Sequence, residues 1–234
     1  MFKYCSHVNT EVKLMSEIIN KYVTCPKCRQ QSTSELMCSV NTESEPEIRE
    51  SVFDESFFRW KCVKCGFQTK LLHPLLYNDI KNKFMVYYIP NVKRSQIVDE
   101  KLEKEFSDLS HIKKRVVPSI NSMKEKIFLF EKKYNDMAVE LSKLAVSEVV
   151  AKSTGQSVYE GYCTEIDKSS NTISFQFFIG GEHRSYLQTT RYDVYNRSLS
   201  IVKEHFADVK KKRGFLNIDR SWAKEALRRY KNLG

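Results

Sequence analysis

The sequence predicts an α+β protein: a four-cysteine module with an inserted segment, then a helical hairpin, a small antiparallel sheet and C-terminal helices. Three observations predict it. Two C-x-x-C pairs, Cys25/Cys28 and Cys62/Cys65, lie 33 residues apart. Ile173, Phe175 and Phe177 alternate with smaller or polar residues, the period of a half-buried strand. Met137, Leu141, Leu144 and Val149, then Tyr195, Leu199, Val202, Phe206 and Val209, recur at helical spacing.

Composition bounds the class. The chain has 234 residues, 41% hydrophobic and 29% charged, with seven glycines and five prolines. That excludes collagen-like and low-complexity chains, and a chain this long buries roughly 70–75% of its unfolded surface. No apolar run reaches the roughly 18 residues of a membrane span. Lys3, Glu11, Lys13, Glu17 and Lys21 interrupt the first 22 residues, so no secretory h-region is present. The expectation is a folded cytoplasmic protein.

Taken in order, Val8, Val12, Met15, Ile19 and Tyr22 step by fours and threes and predict an N-terminal helix. Residues 35–42 predict a strand, and Pro46 opens a short helix to Phe53. Residues 57–62 and 67–72 predict strands on either side of the second cysteine pair, and residues 83–89 another, stopped by Pro90. The division expected is a cysteine module over 1–92, a linker or solvated helix over 93–117, and a basic α+β region over 118–234. Within the last, Ser122 and Glu125 have capping-box spacing, and Asn135 caps the second helix of a hairpin. Strands follow at 158–166, 172–179 and 184–191, with Gly180-Gly181 as a turn. A helix then runs to the basic cluster 210–213 with Gly214 as its C-cap, and Asp219 caps a last helix to Lys231.

Seven cysteines without an export signal argue against a disulfide framework. Two C-x-x-C pairs argue for one zinc ion held by Cys25, Cys28, Cys62 and Cys65, because each tight turn aims two thiolates at one point. Four thiolates close the shell, so such an ion (one structural Zn2+) does no chemistry. An iron–sulfur centre uses the same ligand type and stays open as an alternative. A redox C-x-x-C needs no second copy. Lys27, Arg29, Lys61 and Lys64 surround the four cysteines and offset part of their charge. Gly66 suits the positive φ that such a knuckle uses.

Certain residues carry a resemblance. Cys25-Pro26-Lys27-Cys28, Phe57 to Trp60 leading into Cys62-Val63-Lys64-Cys65-Gly66, Leu75 to Asp79, and Phe84 to Pro90 are arranged as in the prokaryotic CpXC-domain proteins, which this chain resembles. Looser similarity continues through Asn135-Asp136, Glu140-Leu141 and Lys143. Arg29 stands where a glycine is expected, and Val63 where a proline is. The resemblance implies a metal-binding, zinc-ribbon-like module of a prokaryotic or phage protein, and implies no reaction.

Charge is uneven. Residues 1–110 hold 16 basic and 15 acidic residues, whereas residues 111–234 hold 23 and 14. Lys210, Lys211, Lys212 and Arg213 form a run, and Arg220, Lys224, Arg228 and Lys231 recur on one face of the last helix with Arg229 beside them. Such a surface suits phosphates, so the leading function is non-catalytic nucleic-acid binding by the C-terminal region. An ordinary solvated basic face weighs about equally. The second reading is a protein-interaction or scaffold module, including self-association through a sheet edge. The third is an enzyme, for which His73, Tyr77, Asp79, Asp136 and His183 are acid–base candidates in no catalytic spacing.

Overall fold

The computed structural model describes residues 16–90, 109, 111–181, 184–210 and 214–232. It divides into two units, residues 1–124 with 213–215, and residues 125–212 with 216–234.

In the first unit, β1 (Glu17–Thr24) and β2 (Gln31–Asn41) form a hairpin. A short helix, α1 (Ile48–Phe53), and one 3-10 turn lead to the small hairpin β3 (Arg59–Lys61) and β4 (Gln68–Lys70). Strands β5 (Leu75–Asp79), β6 (Phe84–Tyr88) and β7 (Lys113–Val117) complete a five-stranded sheet of order β1-β2-β5-β6-β7. It is mixed: β2 and β5 run parallel, as do β6 and β7, while β1 with β2 and β5 with β6 are antiparallel. All of β5 is buried, so its polar residues must find partners inside. The Asp79 carboxylate accepts from the Asn82 backbone N–H and side-chain amide, both at 2.8 Å, and so holds the turn into β6. Phe215 belongs to this unit and joins Leu76, Met85, Ile112 and Val116 in one apolar cluster.

The second unit is built around α3 (Asp136–Thr154), which follows α2 (Ile120–Glu131). Twelve of the 19 residues of α3 are buried, so the helix is central and not a surface element. Asn135 caps it by accepting from the N–H groups of Met137 and Ala138, and Gly155 ends it at φ 66°. Strands β8 (Val158–Asp167), β9 (Thr172–Ile179) and β10 (Ser185–Arg191) form an antiparallel sheet of order β10-β9-β8. Gly161 lets the Phe177 ring lie against the β8 backbone, since a Cβ there would sit 2.4 Å from that ring. Helices α4 (Asp193–His205), α5 (Ala207–Lys210) and α6 (Arg220–Lys231) close the unit.

Three expected helices change. The one expected behind a Ser122–Glu125 capping box already begins at Ile120, and Ser119 Oγ accepts the Ser122 N–H at 3.1 Å, so Ser122 lies inside the helix. The segment 17–24 is a strand, because Ile19 and Val23 alternate against β2 with exposed Ile18 and Tyr22; the earlier part of that predicted helix lies outside the described residues. The helix predicted to reach 209 stops at His205. Phe206 leaves the helical path, is 2% exposed, and meets Trp222 at 5.9 Å. Of the expected linker 93–117, the last five residues are β7.

Charge is buried beside α3. The Lys143 ammonium lies 2.9 Å from both Glu125 oxygens and 2.8 Å from Glu140. Glu125 also accepts the Cys163 N–H at 2.6 Å, and Lys126 meets Asp136 at 3.4 Å. Burial raises the Glu140 pKa. Burial also works against the Lys143 charge, but the two carboxylates outweigh it and hold the ammonium protonated. Removing that ammonium leaves two buried carboxylates without their cation. Lys143→Met is therefore expected to destabilise the protein by about 3–5 kcal/mol near neutral pH. The loss should shrink as pH falls and Glu140, whose pKa burial raises, takes up a proton, which urea denaturation at two pH values would check.

Candidate metal centre

Each cysteine pair sits in a tight turn of one design. The Cys25 N–H donates to Gln30 O at 2.9 Å, and the Arg29 N–H to Cys25 O at 2.9 Å. The Cys62 N–H donates to Phe67 O at 2.8 Å, and the Gly66 N–H to Cys62 O at 3.0 Å. The fifth residue of each turn is left-handed, Arg29 at φ 61° and Gly66 at φ 69°. The first turn joins β1 to β2 and the second joins β3 to β4, so two hairpins carry the ligands to one place.

All four sulfurs lie within 4.8 Å of one another, with Cys25 to Cys65 at 3.7 Å and Cys28 to Cys62 at 3.6 Å. A tetrahedron with metal–sulfur bonds of about 2.3 Å has edges of about 3.8 Å. The four cysteines can hold a metal ion. Cys25 and Cys62 are buried, Cys28 and Cys65 half-buried. Trp60 and Cys25 share a cluster with Cys62, flanked by Val23, Phe67 and Leu71. The Trp60 indole donates to Ser34 Oγ at 2.8 Å and ties β3 to β2.

The turns favour thiolate. Backbone N–H groups of Cys65 and Lys64 point at Cys62 and, with the thiols of Cys25 and Cys28, lower its pKa to about 6. Cys65 gains the same help from the Phe67 N–H, but burial and the three neighbouring sulfurs outweigh it and push it up to about 11. Four thiols this close cannot all ionise unless a cation joins them.

The other residues singled out in the sequence are scattered. Arg220 is half-buried and donates to Val158 O at 2.8 Å. Arg228 pairs with Glu225 at 3.0 Å, and Arg229 with Asp208 at 3.2 Å while covering Phe206. Lys224 and Lys231 are exposed. The Lys210 side chain and Lys211, Lys212 and Arg213 lie outside the described residues, as does His183. Tyr77 is buried and stacks on Phe84, Asp79 holds a turn, and Asp136 pairs with Lys126. His73 is 5% exposed.

The matched turns make a test. Gly66 has room for a Cβ, the nearest atom being Lys61 Cε at 3.9 Å, so only its φ resists substitution. Gly66→Ala is expected to lower the stability of the metal-loaded protein by about 1 kcal/mol. Arg29→Gly relieves the same conformation and should raise it, by less, because glycine also loosens the unfolded chain. Melting of the two metal-loaded variants would check both signs.

The model of one protein family, CpXC protein, matches residues 23–143, just over half of the chain and spanning all four cysteines. No curated protein and no solved structure matches the chain. Among the described residues, no helix is long and apolar enough to cross a membrane. Family match and cysteine geometry agree, and the chain belongs to the CpXC family.

Proposed function

We propose that this is a non-catalytic binding protein whose first unit is held by one structural zinc ion and whose C-terminal region contacts nucleic-acid phosphates. The sulfur spacing supports a single ion, since the thiolates of a polynuclear cluster bind different irons and stand farther apart. Four cysteines leave that ion no open position. Its work is to tie the β1–β2 hairpin to the β3–β4 hairpin.

The observation that carries the nucleic-acid reading is the exposure of Lys224 and Lys231 along α6, with Arg228 exposed beside them though paired with Glu225, in a region with 23 basic and 14 acidic residues. Arg220 and Arg229 are engaged within the protein and count for less. The pattern suits phosphate contact and offers no base reading.

A second reading has its own support. Among the described residues β10 pairs only with β9, and its first six residues carry no charge, proline or bulge to guard the edge. Leu187 on it is 65% exposed. A partner strand would add there, and a molecular mass that rises with concentration would show self-association.

Two outcomes test the main proposal. Zinc should be bound at one ion per chain, and Cys25→Ser or chelation should remove it and unfold the first unit, read by elemental analysis and melting. Binding of nuclease-treated protein to generic DNA and RNA should weaken as salt rises. Lys224→Glu with Arg228→Glu and Lys231→Glu should weaken it further and flatten the salt dependence by about one unit of slope per lost contact. Unchanged affinity in the triple variant would exclude α6 as the contact.

A further inference from the structure

The three-stranded sheet of the second unit has two edges, and they differ. Strand β8 forms one. It carries a bulge between Val158 and Glu160 and another between Cys163 and Glu165, with Glu160 and Glu165 both exposed. Its Cys163 N–H, which points off the sheet, is taken by Glu125 at 2.6 Å. Such bulges and charges stop another strand from adding. Strand β10 forms the other edge, and among the described residues nothing of the kind guards Ser185 to Thr190.

Two hydrogen bonds fix which groups of β10 face outward. The Ile179 N–H donates to Arg184 O at 3.0 Å, and the Tyr192 N–H to Asn171 O at 2.9 Å. The even-numbered residues of β10 therefore bond to β9, and Ser185, Leu187 and Thr189 turn their N–H and C=O groups away from the sheet. Thr189 O takes the Gln188 side-chain amide at 2.7 Å, an exposed local contact. The same three side chains stand on the face turned from the buried Phe175 and Phe177, and Leu187 is 65% exposed. Arg191, at the end of the strand, is paired with Asp193 at 2.9 Å.

We infer that β10 pairs antiparallel with β10 of a second copy of this chain, about a two-fold axis through Leu187. The dimer rests on the protein-interaction reading above and names its partner. Outward groups must meet outward groups, so near the middle of the strand an axis can pass through Leu187 or Gln188. Through Leu187, the two exposed leucines lie directly opposite each other, and Ser185 lies opposite Thr189 of the second copy. Through Gln188, each leucine meets a threonine and buries less apolar surface. From Ser185 to Thr189 no charge meets a like charge. The edge thus matches itself, while its neutrality offers a foreign strand no charge to select. The six-stranded sheet that results ends in a guarded β8 on both sides, so pairing stops at two copies.

The test is sedimentation equilibrium of the full-length, zinc-loaded protein over a wide range of concentration. The mass should rise from 27.5 kDa toward twice that value. Leu187→Lys sets two ammonium groups opposite each other at an exposed position. It should raise the dimer dissociation constant about tenfold or more and leave the melting temperature of the dilute protein unchanged. Leu187→Glu should do the same, and an equimolar mixture of the two variants should recover the dimer that neither forms alone. Dimers that both variants leave intact would overturn β10 as the seam and keep self-association. Weakened dimers that the mixture does not restore would overturn the axis through Leu187. A monomer carrying a foreign polypeptide that Leu187→Lys releases would overturn the second copy and keep the edge as an interaction site. A monomer with no partner at any concentration would overturn both the dimer and the interaction reading.

Discussion

Four sulfurs within 4.8 Å of one another are the constraint on which the first unit depends. The two turns aim backbone N–H groups at them and so prepare thiolate, yet each charge gained raises the cost of the next, as the opposite directions at Cys62 and Cys65 show. A divalent cation bound there would remove the conflict and convert it into a bond between two hairpins. Hairpin β3–β4 has three residues per strand and is too short to stand alone. The Trp60 indole on Ser34 holds it to β2, and a metal held by Cys62 and Cys65 would hold it further.

The second unit meets the same difficulty, clustered negative charge out of water, with protein groups alone. Lys143 stands between Glu125 and Glu140, and Glu125 spends a further lone pair on the Cys163 N–H. These contacts join α2, α3 and β8 through one buried cation. Replacing such a cluster with apolar residues of matched volume need not destabilise, whereas breaking it does.

The sequence showed the second unit better than the first, for a physical reason. Elements that bury one face carry a period, and β9 and α6 are read from it; α3 is buried on most sides, and its start is legible from its cap Asn135, as that of α6 is from Asp219. Strand β5 is buried on both faces and has no period, and Leu-Leu-Tyr-Asn-Asp does not look like a strand. Strand β7 opens Lys-Lys-Arg, yet Lys114 is inside and donates to Leu109 O at 2.7 Å. Strand β1 mimics helical spacing because four of its residues alternate only over a short run. The four-cysteine cluster was legible because the spacing within each pair is local chemistry. The engagement of the basic residues was legible only for Arg228, whose partner Glu225 is three residues away on the same helix; Arg220 and Arg229 find theirs through tertiary folding that no periodicity encodes.

Cysteine cluster and small sheet share one strand. Cys62 follows β3 directly, and Arg59 and Trp60 lie on that strand, so an ion held by Cys62 would also fix the register of both. Trp60 touches the cysteine cluster and reaches Ser34 on β2, which makes it the link between the two hairpins. Neither three-residue strand of the smaller hairpin could hold that position on its own backbone bonds. The cross-link has to come from side chains, and the cysteines and the indole are the ones placed to supply it.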